Sequence, residues 1–121
     1  MSKILFVEDE PNLQKAISEV LVQEGYKVFG AADGEEGLAM AKKEEPNLIL
    51  LDLILPKKDG FEVLKELKAD EKMKNIPVIV LTNLEGIGDV EKALELGATT
   101  YLVKANYKLE DVVSKIKEFL N

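Results

Sequence analysis

The chain has 121 residues, 46% of them hydrophobic, and its 23 acidic and 16 basic side chains leave a formal charge of −7, which suits a single compact domain over 1–121 with its own core. All sixteen basic residues are lysine, and Arg, His, Cys and Trp are absent; this excludes a Ser/His/Asp triad, a thiolate nucleophile, a zinc site of the usual ligands and any disulfide framework. An acidic chain without arginine argues against direct nucleic-acid binding, and no run approaches the roughly 18 apolar residues of a membrane span, so a cytoplasmic location without membrane insertion is expected.

The first strand is read at Lys3 to Glu8 (KILFVE), and a helix opens near Pro11, a residue suited to the first helical position. Leu13, Ala16, Ile17, Val20 and Leu21 repeat at helical spacing as its buried face, and Gly25 stops it. Tyr26 to Phe29 (YKVF) is the second strand; Asp33 and Glu36 resemble a capping pair for a helix to about Glu44, whose inner face of Gly37, Leu38 and Ala41 is small. Leu48 to Leu51 (LILL) is apolar throughout, as a strand covered on both faces should be. After the Lys57 to Gly60 turn come a helix from Phe61 to about Leu67 and a fourth strand from Ile76 to Leu81. A short helix from Asp89 to Leu96 ends at Gly97, and Thr100 to Val103 (TYLV) is the fifth strand. The last helix carries Leu109, Val112, Val113, Ile116, Phe119 and Leu120 on one face. Five strand-helix repeats with short connections predict an α/β, doubly wound parallel sheet.

In such a sheet, ligands bind beyond the carboxyl ends of the strands, where the strand order reverses. Strand one ends in Glu8, Asp9 and Glu10, strand three in Asp52, strand four in Thr82 and strand five in Lys104. If strands one and three are neighbours, as in a 2-1-3-4-5 order, Glu8, Asp9 and Asp52 converge, and three unpaired carboxylates cannot all stay ionised there. A hard divalent cation resolves the repulsion, and Mg²⁺ in particular leaves positions free for phosphate. Lys104 then supplies a point charge and Thr82 a hydroxyl for phosphoryl oxygens. Taken singly, each residue has a plainer role: the acids could favour a helix N-terminus, Thr82 could be a cap and Lys104 a solvated charge. Asp52 is the hardest to explain away, because LILL precedes it and LILP follows it.

At these residues the chain closely resembles the receiver domain of two-component response regulators, of the stand-alone, chemotaxis-type kind. The resemblance spans essentially the whole chain and rests on ILFVEDE at 4–10, LILLDLILPKKDG at 48–60, PVIVLTN at 77–83 and ATTYLVK at 98–104. It implies a flavodoxin-like (βα)5 fold, a five-stranded parallel sheet of order 2-1-3-4-5 with helices on both faces. It implies that Asp52 accepts a phosphoryl group from the phosphohistidine of a sensor histidine kinase or phosphotransfer protein. Mg²⁺ would be the cofactor, held by Asp9, Asp52, the backbone carbonyl of Ile54 and, through water, Glu8. Thr82 and Lys104 would contact the phosphoryl group, and Tyr101 would turn inward when Thr82 moves. Such a chain is not an enzyme of metabolism; it catalyses only its own phosphorylation and dephosphorylation, by positioning and electrostatics.

Departures from the family pattern carry their own expectations. Ala105 follows Lys104 where the family usually has proline, often cis; a cis bond before alanine costs ~3 kcal/mol, so the loop either carries that strain or takes a trans path. Lys58 stands where methionine is common, and Asn83 where a small residue is common. Asp59 and Gly60 match the family's turn after Pro56, where glycine permits a backbone shape that other residues resist. Ile54 and Leu84, two residues beyond Asp52 and Thr82, are apolar and offer no group to orient a hydrolytic water, which predicts a long-lived phosphorylated state.

Output is expected through the face of the fourth helix, fifth strand and fifth helix, with Tyr101 as the two-state element and an unknown protein target downstream. A monomer or a phosphorylation-dependent dimer fits, as does either a stand-alone receiver or one excised from a longer protein, since the chain ends directly after the fifth helix. The main alternative is a phosphorylation-independent interaction module on the same fold. A flavin or nucleotide binder is disfavoured because EDEPN, not a glycine-rich loop, follows strand one. An Asp-x-Asp phosphatase lacks its second acid, Leu53 and Ile54 following Asp52, and a metal-dependent nucleic-acid enzyme would need basic surface.

Overall fold

A computed structural model describes residues 1–120. Strands and helices alternate as β1 (Lys3–Val7), α1 (Pro11–Gln23), β2 (Lys27–Ala31), α2 (Gly34–Glu44), β3 (Leu48–Leu51), α3 (Gly60–Ala69), β4 (Val78–Thr82), α4 (Ile87–Glu95), β5 (Thr100–Val103) and α5 (Leu109–Leu120), with one 3₁₀ turn, Lys104–Asn106, between β5 and α5. The strands form a parallel sheet of order β2-β1-β3-β4-β5, the doubly wound arrangement that the alternation predicts.

The two-residue period of the strands divides the core. Leu5, Val7, Ile49, Leu51, Val78 and Val80 pack with Leu38, Ala41, Val63, Leu64, Leu67 and Ala93 of α2, α3 and α4 on one face. Ile4, Phe6, Leu48, Leu50, Ile79 and Leu81 pack with Ile17, Leu21, Val112, Val113 and Ile116 of α1 and α5 on the other. All four residues of β3 are buried, as its unbroken apolar run requires. The small face of α2 lets it lie close to β1: a side chain at Gly37 would begin 2.8 Å from a Val7 methyl.

Local chemistry sets the helix ends. Asp33 caps α2 by accepting from the Glu36 N–H at 2.7 Å, while Glu36 reaches back to the N–H of Ala32 rather than to that of Asp33. Asp59 caps α3 in the same way through Glu62. Pro11 begins α1 with no side-chain cap, and Gly25 and Gly97 follow α1 and α4 with φ of 98° and 108°.

Several boundaries differ from the sequence reading. Hydrogen bonding carries β2 two residues further, to Ala31, and β4 one further, to Thr82; α4 begins two residues earlier, at Ile87. Ala16 and Phe119, read as core, are exposed: both lie at the margins of their helices' apolar stripes, away from the buried centres at Ile17, Leu21, Val112 and Ile116. The Lys104–Ala105 peptide is trans, with no cis bond among the described residues, and the loop uses that freedom to close the 3₁₀ turn. No helix among the described residues is long and apolar enough to cross a membrane.

Candidate functional site

Strand order decides what meets at the carboxyl edge. Because Val7 pairs with Leu51 and the Asp52 N–H donates to the Val7 carbonyl at 3.0 Å, Glu8 and Asp52 leave β1 and β3 side by side. Thr82 pairs with Val103, which sets Lys104 one step past it at the same edge. Glu8, Asp9 and Asp52 each offer a carboxylate oxygen within 4.8 Å of the others, with Glu8 and Asp52 buried and Asp9 exposed. Lys104 Nζ lies 3.0 Å from Asp52 Oδ2 and 2.9 Å from Glu8 Oε1. The other oxygen of each acid accepts from backbone: Asp52 Oδ1 from the Ile54 N–H at 3.2 Å, and Glu8 Oε2 from the Glu10 N–H at 3.1 Å.

Charge at this edge is poorly balanced. Lys104 donates a hydrogen bond to Asp52 and also sits 2.9 Å from the buried Glu8 Oε1, so one ammonium serves two acids. Burial pushes the Glu8 carboxyl above the usual carboxylate range; the Lys104 ammonium draws it back only partly, and the Asp52 charge pushes it up again. Burial would lower the Lys104 ammonium, but Glu8 and Asp52 outweigh that and hold it above its ordinary value, fully charged. Three carboxylates within 4.8 Å of one another, two of them sharing one ammonium, offer all-oxygen donors that fit an added divalent cation.

Thr82 is fully buried, and its hydroxyl accepts a long 3.5 Å contact from the Leu84 N–H. Tyr101 packs against the core and donates its hydroxyl to the Leu84 carbonyl at 2.9 Å. Burial, then the charges of Asp89 and Asp52, raise the Tyr101 phenol and keep it a donor. Leu84 thus contacts both Thr82 and Tyr101 through its backbone. Ile54 is 52% exposed beside Asp52, and Asn83 is also exposed. Lys58 turns from the acids to pair with Glu66.

The loop after Asp52 corrects one expectation. Gly60 does not sit at positive φ; a methyl there would stand 2.3 Å from the Asp52 carbonyl oxygen, so its role is close approach. The unusual backbone belongs to Lys57, at φ 68°, where the Lys58 N–H closes on the Pro56 carbonyl at 2.8 Å in a γ-turn. Sequence reasoning also missed Gln14, whose amide bridges the ends of β1 and β2, and the Leu84 carbonyl. A polar residue within the apolar stripe of α1 was the available signal for the first; a backbone acceptor leaves none.

Residues 4–117 match the family model described as the response regulator receiver domain, and the chain belongs to that family. It is 41% identical over 118 residues to the probable transcriptional regulator ycf27 of Porphyridium aerugineum, covering 98% of this chain but 48% of that one, so it spans about half of such relatives. Sporulation initiation phosphotransferase F of Bacillus subtilis is 36% identical, with 98% of this chain and 93% of that protein covered. Among solved structures, the Mn²⁺-bound form of response regulator Rcp1 superposes with a TM-score of 0.87 at 37% identity, covering 99% of this chain and 94% of the other.

Proposed function

We propose that this receiver domain is a phosphorylation-driven switch in which Asp52 takes a phosphoryl group from the phosphohistidine of a sensor histidine kinase or phosphotransfer protein. The observation that carries the reading is the meeting of Glu8, Asp9 and Asp52 within 4.8 Å opposite the Lys104 ammonium. Asp52 attacks phosphorus in line, an oxygen–phosphorus bond forming as the nitrogen–phosphorus bond to the donor imidazole breaks. Lys104, already against Asp52, neutralises charge on a phosphoryl oxygen, and the Thr82 hydroxyl gives up its weak contact with Leu84 to donate to another. Asp9, Asp52 and the Ile54 carbonyl, with Glu8 through water, are the residues that would hold Mg²⁺. Once bound, that ion would draw the carboxylates together and offset charge on the transferring group. That the similar Rcp1 was solved in an Mn²⁺-bound form supports divalent-cation binding by this domain.

Movement of Thr82 shifts Leu84, and the Tyr101 hydroxyl bonded to Leu84 passes that shift to the face of α4, β5 and α5. The reading places the domain in the cytoplasm with its kinase, as a monomer or a phosphorylation-dependent dimer acting on a protein target. The domain turns over no metabolite, catalysing its own phosphorylation and dephosphorylation alone. Incubation with Mg²⁺ and phosphoramidate, followed by intact mass, tests it: a phosphoryl gain in wild type that is lost with chelator and in Asp52→Ala is expected. No gain under any condition would leave the phosphorylation-independent interaction module as the better account.

Ile54 and Leu84 flank the line of water attack on the phosphorylated Asp52 with apolar groups only. Replacing both with glutamine should therefore speed loss of the phosphoryl group by about tenfold, less than the roughly 10²–10⁴-fold that a positioned acid or base supplies, because glutamine can orient a water without taking its proton. An unchanged decay rate would remove these two residues from the account of phosphoryl lifetime.

A further inference from the structure

We infer that Gln14, together with the missing side chain at Gly30, is a positioning device for the cation ligands Glu8 and Asp9; the inference rests on the divalent-cation reading above. Gln14 Nε2 donates to the Glu8 carbonyl at 3.0 Å and to the Ala31 carbonyl at 3.0 Å. The Ala31 carbonyl also accepts from the Glu8 N–H at 2.9 Å, and the Gln14 N–H donates to the Glu10 carbonyl at 3.0 Å. One residue therefore ties both ends of the Glu8–Glu10 turn, and its amide grips the peptide unit that joins Glu8 to Asp9.

That peptide unit is the one that matters. Its orientation sets ψ of Glu8 and φ of Asp9, and so the directions in which the two carboxylates leave the chain. Asp9 is exposed, so packing does not hold it, and a free peptide would let its carboxylate swing away from Asp52. Groups that orient metal ligands from behind are typically worth about 10–100-fold in affinity. Gly30 completes the arrangement on the edge strand β2, where a methyl would lie 2.6 Å from Gln14 Oε1 and 2.9 Å from its amide carbon. The glycine is needed because the glutamine lies flat across the strand. Its backbone is not at positive φ, so space is what it supplies.

Mn²⁺ binding by the unphosphorylated protein, with free ion counted by electron paramagnetic resonance, tests the device apart from phosphoryl chemistry. Gln14→Met keeps the shape and removes the donor, and should weaken Mn²⁺ binding at least about tenfold. Phosphoryl uptake at saturating cation should stay within about twofold of wild type, because only ligand positioning is lost. Gly30→Ala, which leaves α1 untouched and so keeps the test open if Gln14→Met folds poorly, should weaken Mn²⁺ binding by itself. It should add little in a Gln14→Ala background, where the clash is gone.

Wild-type affinity in Gln14→Met or in Gly30→Ala overturns the device while leaving the cation site standing. A loss from Gly30→Ala that is fully additive with Gln14→Ala also overturns it, since the glycine would then act through something else. Absence of Mn²⁺ binding in the wild type removes the cation reading, and the device with it.

Discussion

The two ends of the sheet treat polar groups in opposite ways. At the amino end, polar groups find neutral partners: Asn47 accepts from the Lys3 N–H and donates its own N–H to the Lys3 carbonyl, and Lys68 Nζ donates to the carbonyls of Lys74 and Ile76 at 3.0 and 2.8 Å. At the carboxyl end, Glu8, Asp52 and Thr82 are buried, two acids share one ammonium and a third carboxylate stands within 4.8 Å of both. Positive φ alone does not separate the ends, since Glu45 closes α2 at the amino end with φ 46°. Unbalanced charge does. A fold that satisfies its polar groups so fully at one end retains the imbalance at the other where a ligand would relieve it.

Loss of phosphoryl uptake in Asp52→Ala is the largest effect the contrast implies, and paired glycine substitutions give the next. Gly60→Ala must displace the Asp52 backbone, its methyl starting 2.3 Å from that carbonyl oxygen, at about 1–3 kcal/mol and with slower uptake. Gly25→Ala at the amino end has φ 98° and open space around it, so it should lose about 1–2 kcal/mol by backbone strain and leave uptake unchanged. Urea midpoints and phosphorylation rates on both variants check the pair. Equal slowing of uptake would mean that the two ends are not independent.

The smallest effects sharpen the contrast through pH. Lys68→Met removes a donor from two carbonyls that water can partly reach, and should cost about 1 kcal/mol with uptake unchanged. Burial holds the Lys68 amine below the usual lysine range, so the native chain releases that proton before the unfolded chain does. Its contribution to stability therefore rises with pH below about 10.4, the ordinary lysine value, and the rise should vanish in Lys68→Met. Lys104 is shifted the other way: its contribution is complete below the ordinary lysine value and is lost as pH climbs through its higher native one. Stability curves of wild type and Lys68→Met should diverge below that value and run parallel above it. Divergence confined to higher pH would contradict the assignment.

Much of the fold was legible because strands buried on both faces can be little else. LILL at 48–51 and the alternating faces of β1 and β4 follow from side-chain period alone. Ala16 and Phe119 misled because helical spacing marks a stripe without giving its width. The acids at the strand ends were legible as a set, since Asp52 amid eight apolar neighbours has no comfortable structural role. The close contact under Gly60, the γ-turn at Lys57 and the grip of Gln14 on the Glu8 carbonyl were not. Each depends on distances between segments far apart in the chain or on backbone acceptors that every residue shares.

The sequence by itself determined the alternation of elements, the layers of the core and the residue types at each strand end, because these follow from local periodicity and the cost of burying charge. Tertiary structure alone decided that Lys104 spans both Glu8 and Asp52 through a trans 3₁₀ turn, and that Tyr101 is bonded to the Thr82 loop. Parallel pairing in one strand order brings residues 8, 52, 82 and 104 to a single edge, and angstrom-scale geometry among non-local groups is set only once that sheet has closed.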